Sequence, residues 1–138
     1  MNKKILIVED DSVMSLVLEE IFKFNEWEVE IAKTGLEALS AIPKYNPDVI
    51  LSDINMPDMD GIKMLENLYN NNSLLPVVFL SGYRDINKMT LAWLYCAYDF
   101  LDKPFDKKKL MMVCDAAAAY GKDYVISARH RSKKIDFK

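Results

Sequence analysis

Five short runs of four to six residues read as strands, and they alternate with longer segments whose apolar residues recur at helical spacing. Residues 4–8 (KILIV) form the first, brought to an end by Glu9, Asp10 and Asp11. Residues 27–32 alternate apolar and acidic positions, as a strand nearer a sheet edge does. Residues 48–52 are compact and rich in β-branched side chains, with Asp53 placed where the strand should stop. Met56, Pro57, Asp58, Asp60 and Gly61 then make a turn that cannot continue a strand. A fourth run, 76–80, is stopped by Ser81-Gly82, and a short fifth, 99–102, precedes Lys103-Pro104-Phe105.

The segments between are predicted helices. Asp11 or Ser12 caps the first, in which Val13, Leu16, Val17, Ile21 and Phe24 make one apolar stripe. Thr34-Gly35 opens a second, carrying Leu36, Ala38, Leu39 and Ile42 and ending between Pro43 and Pro47. The third places Ile62, Leu65 and Leu68 on one side and ends at Asn70-Asn71-Asn72. Residues 85–95 form a fourth with more large apolar residues (Ile86, Met89, Leu91, Trp93, Leu94, Tyr95) than one amphipathic face can bury. Asp106 caps the fifth, with Phe105 stapled on Leu110. Val113, Ala117, Tyr120, Tyr124 and Ser127 continue its stripe, so this helix is expected to run past Tyr120 to about residue 131, with Gly121 its weak point. Tyr120 and Tyr124 would lie against a partner chain or the domain's own flank. Strands alternating with helices throughout imply an α/β fold, a doubly wound five-stranded parallel sheet covered on both faces by five helices.

At 138 residues the chain suits one domain, expected over 1–119, with 120–138 a basic tail that extends the last helix or begins a linker. The net charge of −3 hides a split: the tail has six Lys/Arg and two Asp, a local +4, leaving −7 on the rest. An acidic body argues against nucleic-acid binding by this chain alone. The longest apolar reading, 74–80, is seven residues, far short of the ~20 that a membrane span needs. Two separated cysteines, Cys96 and Cys114, favour free thiols in a reducing cytoplasm.

In such a sheet, strand ends supply a crevice with side chains. Here they are Glu9 and Asp10, Asp53, Ser81 and Lys103. Clustered carboxylates are costly unless a cation neutralises them, and an all-oxygen set with incomplete protein coordination suits Mg²⁺. The chemistry this favours is carboxylate attack on a phosphoryl group, with a lysine and a hydroxyl stabilising the phosphoryl oxygens.

ILIVEDD, LSDINMPDMDG, LSG and DKPF, in that order and spacing, resemble the receiver domain of two-component response regulators over about residues 3–119. The resemblance implies a flavodoxin-like sheet of order 2-1-3-4-5, an arrangement of which a receiver is itself a known example. It implies Asp53 as phosphoacceptor, and Mg²⁺ held by Asp10, Asp53 and the Asn55 carbonyl, with Glu9 acting through water. Ser81 would donate to the attached phosphoryl group and Lys103 would pair with it. Phe100 takes the aromatic position that turns inward on activation; lacking a hydroxyl, it can switch only by packing. Pro104 resembles the family's cis-linked proline.

The resemblance further implies a phosphorelay switch rather than an enzyme, one that assists its own phosphorylation and slow autodephosphorylation. Its phosphodonor would be a sensor histidine kinase or phosphotransfer protein. Output, and a homodimer, are expected on the fourth helix, fifth strand and fifth helix, in the cytoplasm and without membrane contact. Two departures stand out: Cys96 replaces the usual Gly before Ala97, so that turn is expected to differ locally, and Tyr83 is large enough to shield the phosphoryl group from water. An aspartate-nucleophile phosphatase would need a second Asp where Asn55 stands. A flavin domain would need a phosphate-cradling loop where Glu9, Asp10 and Asp11 stand.

Overall fold

Every apolar run becomes a strand. In the computed structural model, β1 (Lys4–Val8), β2 (Glu28–Ala32), β3 (Val49–Asp53), β4 (Val77–Ser81) and β5 (Asp99–Asp102) pair in parallel in the order 2-1-3-4-5, as expected. The structure describes residues 2–56, 59–83 and 85–132; Pro57 and Asp58 of the expected turn, and residues 133–138 of the basic tail, lie outside the described residues. Helices α1 (Ser12–Phe24), α2 (Gly35–Tyr45), α3 (Gly61–Asn70), α4 (Ile86–Leu94) and α5 (Lys107–Ser132) complete the alternation.

Two apolar clusters, one per sheet face, account for the double winding. Leu6, Val8, Ile50 and Phe79 pack with Ala38, Ile62, Leu65 and Ala92 from α2, α3 and α4. Ile5, Ile7, Leu51 and Leu80 pack with Leu18 and Phe22 from α1 and with Leu110 and Cys114 from α5. Strands buried on both faces show near-continuous apolar runs, as β1, β3 and β4 do. Pairing extends one residue further than the sequence suggests at β3 and β4. Asp53 pairs with Leu80 and Ser81 with Asp102, so both are the last ladder residues of their strands and not the first of a loop.

The stripe expected on α1 is corrected. Val13 and Leu16 are exposed, Val17 is 43% and Phe24 88% exposed, while Ser15, Leu18 and Phe22 are buried and Ile21 packs partly beside them. Both sets satisfy helical spacing; the small Ser15 lets the helix lie close, and its hydroxyl is taken by the Ser12 carbonyl at 3.1 Å. Asp11 is the cap, accepting from the Val13 and Met14 amides. α2 runs through Pro43 to Tyr45, because a proline in the last turn forfeits one backbone bond; Asn46 then closes the helix in the left-handed conformation at φ 55°. α4 buries only Ala92 fully, leaving Ile86, Leu91 and Trp93 exposed.

The stripe on α5 is also corrected. The helix is continuous to Ser132, with Asp106 accepting from the Lys108 amide at its start. Its buried line is Leu110, Cys114, Ala117, Gly121, Val125 and Ala128, with Tyr120 69% exposed and Tyr124 half-buried against the domain's own flank. Gly121 is therefore a contact point and not a weak point. A Cβ there would lie 2.5 Å from Pro76 Cβ and 2.6 Å from its Cγ, atoms of a ring that cannot swing aside. This makes a discriminating prediction. On an exposed helix Gly→Ala stabilises by up to about 1 kcal/mol, whereas Gly121→Ala is expected to destabilise by about 1–2 kcal/mol through overpacking against Pro76, read as a lower urea midpoint.

Candidate functional site

Parallel pairing brings the carboxyl ends of β1, β3, β4 and β5 to one edge, and each delivers one of the predicted residues there. Glu9 follows β1 directly, its amide donating to the Ala32 carbonyl at 3.0 Å, so its side chain is carried into the sheet edge and is 2% exposed. One carboxylate oxygen accepts from the Asp11 amide at 3.2 Å and the other from Lys103 Nζ at 3.1 Å. Asp10 is exposed beside it. Asp53 ends β3, half-buried, with Oδ2 3.4 Å from Lys103 Nζ and Oδ1 3.4 Å from the Asn55 amide. The α3 amino end lies directly behind it. Gly61 donates to the Ile54 carbonyl at 2.7 Å, and a Cβ at Gly61 would fall 2.5 Å from the Asp53 carbonyl oxygen. Only glycine permits that approach.

Lys103 is placed by its own backbone, which donates to the Ser81 carbonyl at 2.8 Å, and the following Lys103–Pro104 bond is cis, as expected. Burial would lower the Lys103 pKa, but the Asp53 and Glu9 carboxylates outweigh it and hold the ammonium above its ordinary value. For Glu9 the balance falls the other way: desolvation raises its pKa, and the Asp11 amide and Lys103 only partly compensate.

One carboxylate oxygen from each of Glu9, Asp10 and Asp53 lies within 4.8 Å of the others. A buried acid still short of positive charge, beside two more accessible acids, is an all-oxygen donor set that fits a hard divalent cation.

Ser81 is 5% exposed, and its hydroxyl donates to the Tyr83 carbonyl at 2.5 Å. Tyr83 itself is 74% exposed. Phe100 is already inward, stacked on Phe79 at 5.4 Å and edge-on to Trp93 at 5.2 Å. The local change expected at Cys96 is not found. The residue takes the left-handed turn a glycine would take, at φ 71°, with its amide on the Trp93 carbonyl at 3.0 Å. One residue the sequence did not single out joins the site: Lys88, on the first turn of α4, donates from Nζ to Asn55 Oδ1 at 2.8 Å. Asp85 caps that turn, accepting from the Asn87 and Lys88 amides, and nothing in the sequence around either residue signals the link to Asn55.

A family model described as the response regulator receiver domain matches residues 5–115. The chain belongs to that family. It is 34% identical over 114 residues to the DNA-binding transcriptional regulator NtrC of Klebsiella pneumoniae, covering 83% of this chain and 24% of that protein. The regulatory protein AtoC of Escherichia coli is 33% identical, with 83% and 25% covered, so the receiver spans about a quarter of the length of these relatives. Among solved structures, a CheY-like receiver domain protein from Methanospirillum hungatei superposes with a TM-score of 0.83 at 27% identity, covering 89% of this chain and 98% of that one. Receivers are phosphoacceptor switches of two-component phosphorelays, interact with histidine kinases or phosphotransfer proteins, and generally bind Mg²⁺. No helix among the described residues is long and apolar enough to cross a membrane.

The ion-pair geometry yields a stability prediction. Removing one partner of a fully buried ion pair costs about 3–5 kcal/mol; Lys103 is 22% exposed, so Lys103→Met is expected to cost about 1–2 kcal/mol in urea unfolding without divalent ions. Adding Glu9→Gln should recover most of that loss, because the buried charge left without its cation is then gone. Additive losses in the double variant would show that Lys103 stabilises by packing alone.

Proposed function

We propose that this receiver is a Mg²⁺-dependent switch phosphorylated on Asp53 by a sensor histidine kinase or phosphotransfer protein in the cytoplasm. The observation that carries this reading is the partly exposed Asp53 carboxylate, grouped with those of Glu9 and Asp10 and 3.4 Å from Lys103 Nζ, which bridges it to Glu9. An Asp53 carboxylate oxygen attacks the phosphorus of a phosphohistidine or acetyl phosphate. The bond to the donor breaks, its electron pair leaves with the donor, and an acyl phosphate remains. Lys103 shifts from the carboxylate to a phosphoryl oxygen, and the Ser81 hydroxyl leaves the Tyr83 carbonyl to donate to another. Asp10, Asp53 and the Asn55 carbonyl, with Glu9 through water, are the residues that would hold Mg²⁺, which supplies charge neutralisation at the phosphoryl oxygens.

Withdrawal of the Ser81 hydroxyl frees the Tyr83 segment that leads into α4, and Tyr83 shields the acyl phosphate from water. Phe100, already between Phe79 and Trp93, responds by repacking alone. The output and homodimer surface in this reading is α4–β5–α5, where Ile86, Leu91 and Trp93 are exposed. The receiver proper is assigned to 1–119, with 120–138 its carboxyl-terminal extension, and neither nucleic acid nor membrane is a partner of this chain.

Labelling with acetyl phosphate and Mg²⁺ tests the assignment. One phosphoryl group per chain is expected, lost in Asp53→Asn and on chelation with EDTA, while circular dichroism stays unchanged. Undiminished labelling of Asp53→Asn would remove the central assignment; undiminished labelling in EDTA would remove the metal.

A further inference from the structure

The last thirteen described residues of α5 do more than lengthen it. Gly121 crosses against Pro76, just before β4, and Tyr124 meets Tyr98, just before β5, edge-on at 5.3 Å. Val125 and Ala128 bury themselves against Cys96, with Tyr69 and Leu74 packed alongside. Arg129 closes the arrangement. Its guanidinium sits 4.3 Å over the Tyr69 ring, and Nη2 donates to the Tyr69 carbonyl at 3.0 Å and to Asn72 Oδ1 at 2.9 Å. This segment therefore grips the turn after α3 and the turn after α4, both at the amino ends of the strands. Asp53 lies at the other edge of the sheet.

α4 reaches from one edge to the other. At its amino end Asp85 caps the helix just beyond the Ser81–Tyr83 hydrogen bond, and Lys88 holds Asn55. At its carboxyl end Cys96 takes a left-handed turn that a residue with a Cβ adopts only at a cost, and it takes it beneath Val125 and Ala128. Between the ends, only Ala92 is fully buried. Met89 packs on the core and Trp93 on Phe100 between them, and a helix gripped at its two ends transmits a displacement at one end to the other.

We infer that the α5 extension is an intramolecular strap that holds α4 in its unphosphorylated position and is loosened when Asp53 is phosphorylated. The inference rests on the reading of Asp53 as phosphoacceptor. In the conformation the strap grips, the Ser81 hydroxyl is on the Tyr83 carbonyl, an arrangement that phosphoryl binding must break. The strap and the phosphoryl group thus favour different positions of α4. Linkage makes the effect reciprocal: whatever weakens the strap must tighten binding of the phosphoryl group.

The test uses the full chain with beryllofluoride and Mg²⁺ as the phosphoryl mimic. Arg129→Ala, which removes the ring contact and both hydrogen bonds, is expected to bind the mimic about five-fold more tightly, the lower end of the usual range for coupled sites. Val125→Ala serves as a second variant and is expected to shift affinity in the same direction, with circular dichroism confirming that both fold. In the unaltered chain, hydrogen exchange at amides 121–131 should speed up when the mimic binds. If the unaltered chain binds the mimic but both variants bind it equally well or more weakly, or exchange in 121–131 is unchanged, the strap is a static buttress and the inference is overturned. A chain that binds no mimic at all overturns the Asp53 reading first, and the strap's regulation with it.

Discussion

Parallel strands all point the same way, and a sheet built from them gathers every carboxyl end at one edge. In this receiver the ladder sets Val8 beside Ser52, Asp53 beside Leu80 and Ser81 beside Asp102. Side chains far apart in sequence are thus fixed within ångströms of one another by backbone pairing alone. The apolar clusters on the two faces make the register unforgiving, because a one-residue slip would send Ile5 and Ile7 to the wrong helices and turn Asp53 away from the edge. The hydrophobic core therefore has a chemical consequence: it sets the separation of the charges.

Those charges oppose folding. Glu9 is 2% exposed and its pKa is raised chiefly by desolvation, so its ionised form is held at a cost that Lys103 does not fully offset. Local conflict of this kind is what a site meant to receive another charged group looks like, since a folded state that fully satisfied its own acids would leave nothing to attract a cation. Lys103 shares itself between Glu9 at 3.1 Å and Asp53 at 3.4 Å, and the longer contact is the one that breaks more readily. In the proposed switch, Lys103 would keep its anchor on Glu9 while exchanging the Asp53 carboxylate for a phosphoryl oxygen.

Strand positions and the residues at their ends were legible because both depend on local pattern: β-branched runs, then an abrupt acid, hydroxyl or lysine. Packing choices were less so. On α1 the set Val13, Leu16, Val17 and the set Ser15, Leu18, Phe22 obey the same spacing, and only the packing of Leu18 and Phe22 on the sheet residues Ile5, Ile7 and Leu51 separates them. Gly121 looked like a helix weakness because Pro76 is far away in sequence, and the Lys88–Asn55 link spans thirty-three positions with no motif to announce it. At Cys96 the sequence flagged the cost of a left-handed turn, but not that the turn is kept, at φ 71° and packed against Val125 and Ala128.

That retained strain bears on how α4 can move. Its nine residues rise about 13 Å, and its hydrogen-bonded backbone is far stiffer along the axis than its contacts with the sheet, where Ala92 alone is fully buried. Compression or rotation at the Asp85 end thus has little to absorb it before Cys96. There the left-handed turn has a cheaper alternative once its cover lifts, because a non-glycine residue gains by leaving positive φ. A glycine would gain nothing and would flex in place. In the proposed strap, release of Cys96 from its φ of 71° would supply the second arrangement of α4 that coupling between remote sites requires.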